Sequence, residues 1–143
     1  MGFTVYWSTS PTLSETFAAF VADLKKVIRY SNLTEEEGTV HLQDHDNECE
    51  TFSADRIGGG RAFCKTGRKE FTYDVMAACV LMKHYNMAIT YSNDDEREFP
   101  WLPVEEYVKD TLGWNVAALK ARIAELEEKL RRATFFARQI AEL

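Results

Sequence analysis

No stretch of this 143-residue chain approaches the roughly 18 consecutive apolar residues that a bilayer crossing requires, so no membrane-spanning helix is expected. The three cysteines, Cys49, Cys64 and Cys79, are odd in number and show no C-x-x-C spacing. The opening Met-Gly-Phe-Thr-Val-Tyr-Trp lacks the basic and apolar regions of a signal peptide, and with the cysteine pattern this leads us to expect a reducing, cytoplasmic setting. Basic charge is short in residues 1–114, where 11 Lys/Arg face 19 Asp/Glu, a net of -8. Such a body is a poor non-specific ligand for nucleic acid, because neutralising phosphates takes clustered cations. Repeats and low-complexity tracts are also missing.

Proline and glycine are absent from residues 115–143, and there the most informative pattern lies. Val116, Leu119, Ile123, Leu126, Leu130, Ala133, Ala137 and Ile140 recur at alternating three- and four-residue steps. They fill the a and d positions of four unbroken heptads, with Asn115 available as N-cap. At about 1.5 Å per residue the helix is about 42 Å long, more than the core of so small a domain usually needs. Arg122 at g stands opposite Glu127 at e in a parallel pair, which sets register more than it adds stability. β-branched residues at a with leucine at d in the first two heptads favour two strands over three. The competing arrangement is one amphipathic helix folded back on its own domain.

The remaining residues suffice for one domain, read as residues 1–99, with a short connecting helix in residues 100–114 before the coiled-coil segment 115–143. Residues 3–8 are aromatic and β-branched and predict a strand. Thr12 and Glu15 have capping-box spacing, and Leu13, Phe17, Phe20, Val21, Leu24 and Ile28 share one face of a helix ending near Tyr30. A charged loop containing Glu35, Glu36 and Glu37 leads to strands at residues 39–42 and 49–57, then a Gly58-Gly59-Gly60 interruption and extended residues 61–64. A second helix follows over residues 73–85, capped by Thr72 and stapled by Phe71 and Met76, and its apolar run from Val75 to Met82 predicts full burial. Residues 87–92 form the last strand, and Pro103 is placed at the first position of the connecting helix. The order β-α-β-β-α-β predicts an α+β fold, a ferredoxin-like split βαβ sandwich followed by a long C-terminal coiled-coil helix.

Arg61, Lys65, Arg68 and Lys69 precede the second helix, whose free N–H groups and dipole favour negative charge, so they are the candidate anion or partner site, against the plainer reading of a solvated basic turn paired with the surrounding acids. The spacing from Gly59 through Lys65 and Thr66 approaches a Walker A loop. Cys64 replaces the glycine needed there and no Walker B strand follows, so nucleotide hydrolysis is rejected. His41, His45 and Cys49, with nearby carboxylates, form the one metal-like group, but their spacing suits a helix and the stretch reads as a hairpin, so no metal or other cofactor is assigned. Cys64 beside Lys65 and Arg68 is a candidate for a lowered thiol pKa, without a histidine placed to serve it. Trp7, Trp101 and Trp114 read most simply as core and docking residues, and Trp101, between Pro100 and Pro103, is also a candidate binding anchor.

Gly2-Phe3-Thr4-Val5-Tyr6-Trp7, Cys49-Glu50-Thr51-Phe52 and Phe63-Cys64-Lys65-Thr66-Gly67-Arg68-Lys69, followed by Tyr73-Asp74, resemble a family of small uncharacterised bacteriophage and bacterial proteins. Its members tend to begin G-Y-T-H-Y-W and to carry C-E-T-F and F-C-K-T-x-R-K-P-Y-D. The resemblance spans residues 2–95 and omits the tail. Val5 stands where the family has histidine, and Glu70-Phe71-Thr72 replace a single proline. The resemblance implies a phage or prophage context and no catalytic activity. We therefore expect a phage-encoded accessory protein in the host cytoplasm, a non-enzymatic homo-oligomer, dimer rather than trimer, that engages a host or phage protein; inhibition of a host process or defence is one version of that role, which the sequence does not single out. A nucleic-acid or phosphate binder working through residues 61–69 is the alternative, and a small enzyme using Cys64 or Asp74 is the third reading.

Overall fold

In β1 (Thr4–Thr9), Val5 and Trp7 are buried while Tyr6 between them is exposed, the period of two that a strand with one covered face requires. The computed structural model describes residues 2–142, and statements of structure refer to these. β1 is the centre of a first sheet, antiparallel to both β5 (Gly60–Lys65) and β6 (Ala88–Asn93). A second antiparallel sheet runs in the order β2 (Ser31–Glu36), β3 (Thr39–Asp44) and β4 (Phe52–Asp55). Trp7 and Phe52 bring the two sheets together, with ring centroids 5.1 Å apart.

The chain is thus mixed α+β, with two three-stranded antiparallel sheets and four helices. The single sheet of a ferredoxin-like sandwich is replaced by this pair for two local reasons. Residues 31–36, expected as helix end and loop, form β2, in which Ser31 is the one buried residue beside Leu33 at partial burial. The glycine run then separates β4 from β5, and β5 pairs with β1 instead of continuing the hairpin.

α1 (Ser14–Val27) buries Phe17, Phe20, Val21 and Leu24 as its periodicity predicted. The expected capping box does not form: Leu13 is the N-cap without a side-chain cap bond, and the Thr12 N–H donates to Arg56 O at 2.9 Å. α2 (Phe71–His84) is the buried helix, packed on β1 and β6 and against α1 and α3 (Trp101–Thr111). Thr72 lies inside α2, not at its cap, and donates to Thr66 Oγ1 at 2.6 Å with both residues buried.

α3 starts two residues before Pro103 and belongs to the body. Val104 and Val108 are buried, and the Tyr107 hydroxyl donates to Val27 O at 2.8 Å. The chain divides into two compact units, Met1–Leu112 and Gly113–Leu143. Gly113, at φ +73°, takes the left-handed conformation that suits the residue closing one helix and opening the next. It, not Asn115, is the N-cap of α4 (Trp114–Ala141), a single helix of 28 residues. Leu143, the last residue of the expected coil, lies outside the described residues. No helix is long and apolar enough to cross a membrane.

Candidate functional site

The four cations of residues 61–69 divide into two pairs. Arg68 and Lys69 are tied into the body: Arg68 Nε meets Glu98 Oε2 at 2.9 Å, and Lys69 Nζ meets Glu48 Oε2 at 2.9 Å. Arg68 also sits over the Phe3 ring at 5.3 Å and donates to Gly2 O at 3.3 Å. These contacts hold a non-glycine residue at φ +59°, a conformation that costs on the order of 1 kcal/mol or more. The backbone donors at the start of α2 are also used, since Thr72 N–H and Tyr73 N–H donate to Lys69 O at 2.9 Å and Glu70 O at 3.0 Å. The expected cradle of free N–H groups and four cations is therefore not assembled at this turn.

Arg61 and Lys65 take a different course because they lie on β5, where Ala62 and Cys64 turn inward. Residues 61, 63 and 65 share the outer face, so the two cations flank Phe63 on either side. Register places Tyr6 directly opposite Phe63, Ser8 opposite Arg61, and Ser92 beyond Tyr6 on β6. The rings are open to solvent, Tyr6 at 42% and Phe63 at 59%. Tyr6 is held by its hydroxyl, which donates to Asp94 Oδ1 at 2.9 Å, a bond that raises its pKa. Ser8 and Thr90 share a hydroxyl hydrogen bond of 2.8 Å on the same face. The shallow groove along this face has a volume of about 670 Å³. Among the described residues neither Arg61 nor Lys65 forms an ion pair. Sequence reasoning missed Tyr6 and Phe63, although the alternation of Tyr6 with Val5 and Trp7 is the signal that finds them.

The residues considered for chemistry are occupied otherwise. Burial pushes the Cys64 thiol up to about 12, with the Glu50 carboxylate adding to the shift, which reverses the expected activation by Lys65 and Arg68. Its Sγ–H donates to Glu50 O at 3.5 Å. Burial, with the neighbouring Asp44 carboxylate adding to it, pushes Cys49 to about 12 as well. Asp74 is buried and accepts from Arg29 N–H at 2.9 Å, Tyr30 N–H at 2.8 Å and the Ser31 hydroxyl at 2.6 Å, so it fastens the α1–β2 turn to α2. His41 Nδ1 bonds Ser53 Oγ at 2.7 Å while Cys49 Sγ–H donates to Thr66 O at 3.2 Å, and no group of three metal-type ligands gathers among the described residues. The Trp101 ring lies 4.1 Å from that of Tyr91, and its Nε1–H donates to Glu96 Oε1 at 3.1 Å, which makes it a docking residue of α3.

α4 presents the second candidate surface. Val116, Leu119, Ile123, Leu126, Leu130, Ala133, Ala137 and Ile140 are all exposed, and no described residue of the helix is buried. Glu128 accepts from both Arg131 and Arg132, and Arg122 pairs with Glu125 at 2.8 Å, so the polar face is laced by i,i+3 and i,i+4 pairs. Phe135 and Phe136 form an exposed edge-to-face pair with centroids 5.9 Å apart.

No family model, curated protein or solved structure matches this chain.

Proposed function

We propose that the protein is a non-enzymatic accessory module that self-associates through α4 as a parallel two-stranded coiled coil and presents its α+β body to a protein partner. The observation that carries this reading is the uncovered seam of four heptads on α4. An isolated helix draws little stability from propensity alone and depends on packing of its apolar stripe, so a seam of this length calls for an occupant. A second copy is the occupant that fits. The stripe is self-complementary by its repeat, Arg122 at g faces Glu127 at e, and Val116 and Ile123 at a with Leu119 and Leu126 at d favour two strands. Phe135 and Phe136, at f and g, stay outside a two-stranded seam and offer a further partner an aromatic contact.

The resemblance of residues 2–95 to small phage proteins supports an accessory role in a host cytoplasm. A host or phage protein is then the second partner, and interference with a host process or defence is the version a phage context favours. Static light scattering tests the self-association. The full chain should run as a dimer, and Ile123→Asp/Leu126→Asp should run as a monomer, because unpaired charges in the seam weaken association roughly a thousandfold or more. A monomeric wild type, or a double variant of unchanged mass, overturns the reading.

A further inference from the structure

We propose that the open face of the β5-β1-β6 sheet binds single-stranded RNA, with Tyr6 and Phe63 stacking bases and Arg61 and Lys65 taking the phosphates. The inference stands apart from self-association through α4 and rests on a different unit of the chain. Tyr6 on the central strand and Phe63 on the edge strand are register partners, so their side chains stand side by side on one face, both exposed. Adjacent exposed rings on a flat, open surface are a stacking platform, and every base has a π-face to lay on it. The Tyr6 hydroxyl bond to Asp94 fixes one ring in advance, which lowers the ordering cost of stacking.

Charge selects the ligand among those a stacking face could take. Arg61 and Lys65 bracket Phe63 on the same strand, about 6.8 Å from it in each direction at about 3.4 Å per residue, and neither forms an ion pair among the described residues. Two carboxylates of this region hydrogen-bond the sheet backbone: Glu50 Oε2 accepts from Lys65 N–H at 3.1 Å, and Asp94 Oδ2 accepts from Thr4 N–H at 2.8 Å. A phosphate chain therefore runs along β5 with its bases turned over Phe63 and Tyr6. Toward β6 the face carries the hydroxyls of Ser8, Thr90 and Ser92, donors and acceptors matched to a ribose 2′-OH, which favours RNA over DNA. A duplex keeps its bases stacked on one another and offers this face nothing.

Fluorescence anisotropy of a short, labelled, mixed-sequence single-stranded RNA, titrated with the full chain, tests the assignment beside the DNA oligomer of the same sequence. RNA should bind more tightly than DNA, and Tyr6→Ala or Phe63→Ala should each weaken it about tenfold. Phe63→Leu keeps an apolar side chain on the sheet, guards against a folding artefact, and should still weaken binding. Arg61→Ser/Lys65→Ser should flatten the dependence of log affinity on log salt by about 1.4, at about 0.7 per phosphate on a single strand. Absence of RNA binding at low salt, equal or tighter binding of DNA, or variants that bind as wild type overturn the proposal. So does capture of an acidic peptide by this face in place of RNA.

Discussion

In the body, Phe20, Leu24, Leu42 and Phe52 are wholly buried, whereas in α4 Leu119, Ile123, Leu126 and Leu130 stand 48–68% exposed. Both sets are large apolar residues, and the outcome differs because the body supplies opposing layers within its own unit. α2 is apolar on nearly every side and is enclosed by β1, β6, α1 and α3. α4 is apolar on one stripe and carries ion pairs on the rest. The body thus has a core enclosed within its own unit, whereas α4 buries no described residue, and this contrast is what the proposed self-association rests on.

The comparison breaks most sharply at Asp74. Asp74→Ala leaves the N–H groups of Arg29 and Tyr30 and the Ser31 hydroxyl without their buried acceptor, at about 1–3 kcal/mol each. The body should lose roughly 3 kcal/mol or more, read as a fall in the urea midpoint by near-ultraviolet circular dichroism, while the mass from light scattering stays that of the full-length wild type. A change in mass with an unchanged midpoint would invert the assignment of roles.

A smaller effect follows from alkali. Cys64 and Cys49 are pushed from 9.0 to about 12 in the folded protein, chiefly by burial. The folded chain then holds these protons more tightly than the unfolded chain does. Their contribution to stability is whole below about pH 9 and is lost as pH rises toward about 12. Tyr85, raised by burial and by Asp23 to about 12, acts in the same sense above its ordinary 10.0. Urea midpoints measured upward from neutral pH should fall across this window, and Cys64→Ala should flatten the fall. An unchanged slope in that variant would place Cys64 outside the pH response.

Smallest is the effect of the charge pair in the proposed coil. Arg122→Glu sets like charges across the g and e positions and should weaken self-association by less than about 1 kcal/mol, a few-fold in Kd. The loss should vanish at high salt. A large, salt-independent loss would mean that Arg122 is buried in the interface.

Elements whose apolar pattern is local were legible in the sequence. α2 was plain from Val75 to Met82, β1 from its aromatic and β-branched residues, and the α4 stripe from its repeat. β2 was not, because an outer face of Asn32, Thr34 and Glu36 has the composition of a loop, and only pairing with β3 makes it a strand. Nor does local sequence reveal that β5 joins β1, since their partners, from Thr9 and Gly60 to Thr4 and Lys65, lie 51 to 61 residues apart. The site divided in the same way. Arg68 and Lys69 were legible as cations with acids around them, but their partners Glu98 and Glu48, 30 and 21 residues away in sequence, were not. Arg61 and Lys65 were legible as cations but not as the flanks of an aromatic pair, which requires the register of two strands.

The central claim is that the body folds alone and α4 joins copies of it. Sedimentation equilibrium of the full chain beside a chain ending at Leu112 tests it most directly. The account predicts a dimer for the first and a monomer for the second, with a cooperative thermal transition retained because the core around Phe20, Leu24, Val75 and Val108 lies wholly before the cut. A full chain that sediments as a monomer, or a shortened chain that still dimerises or melts without cooperativity, would contradict it.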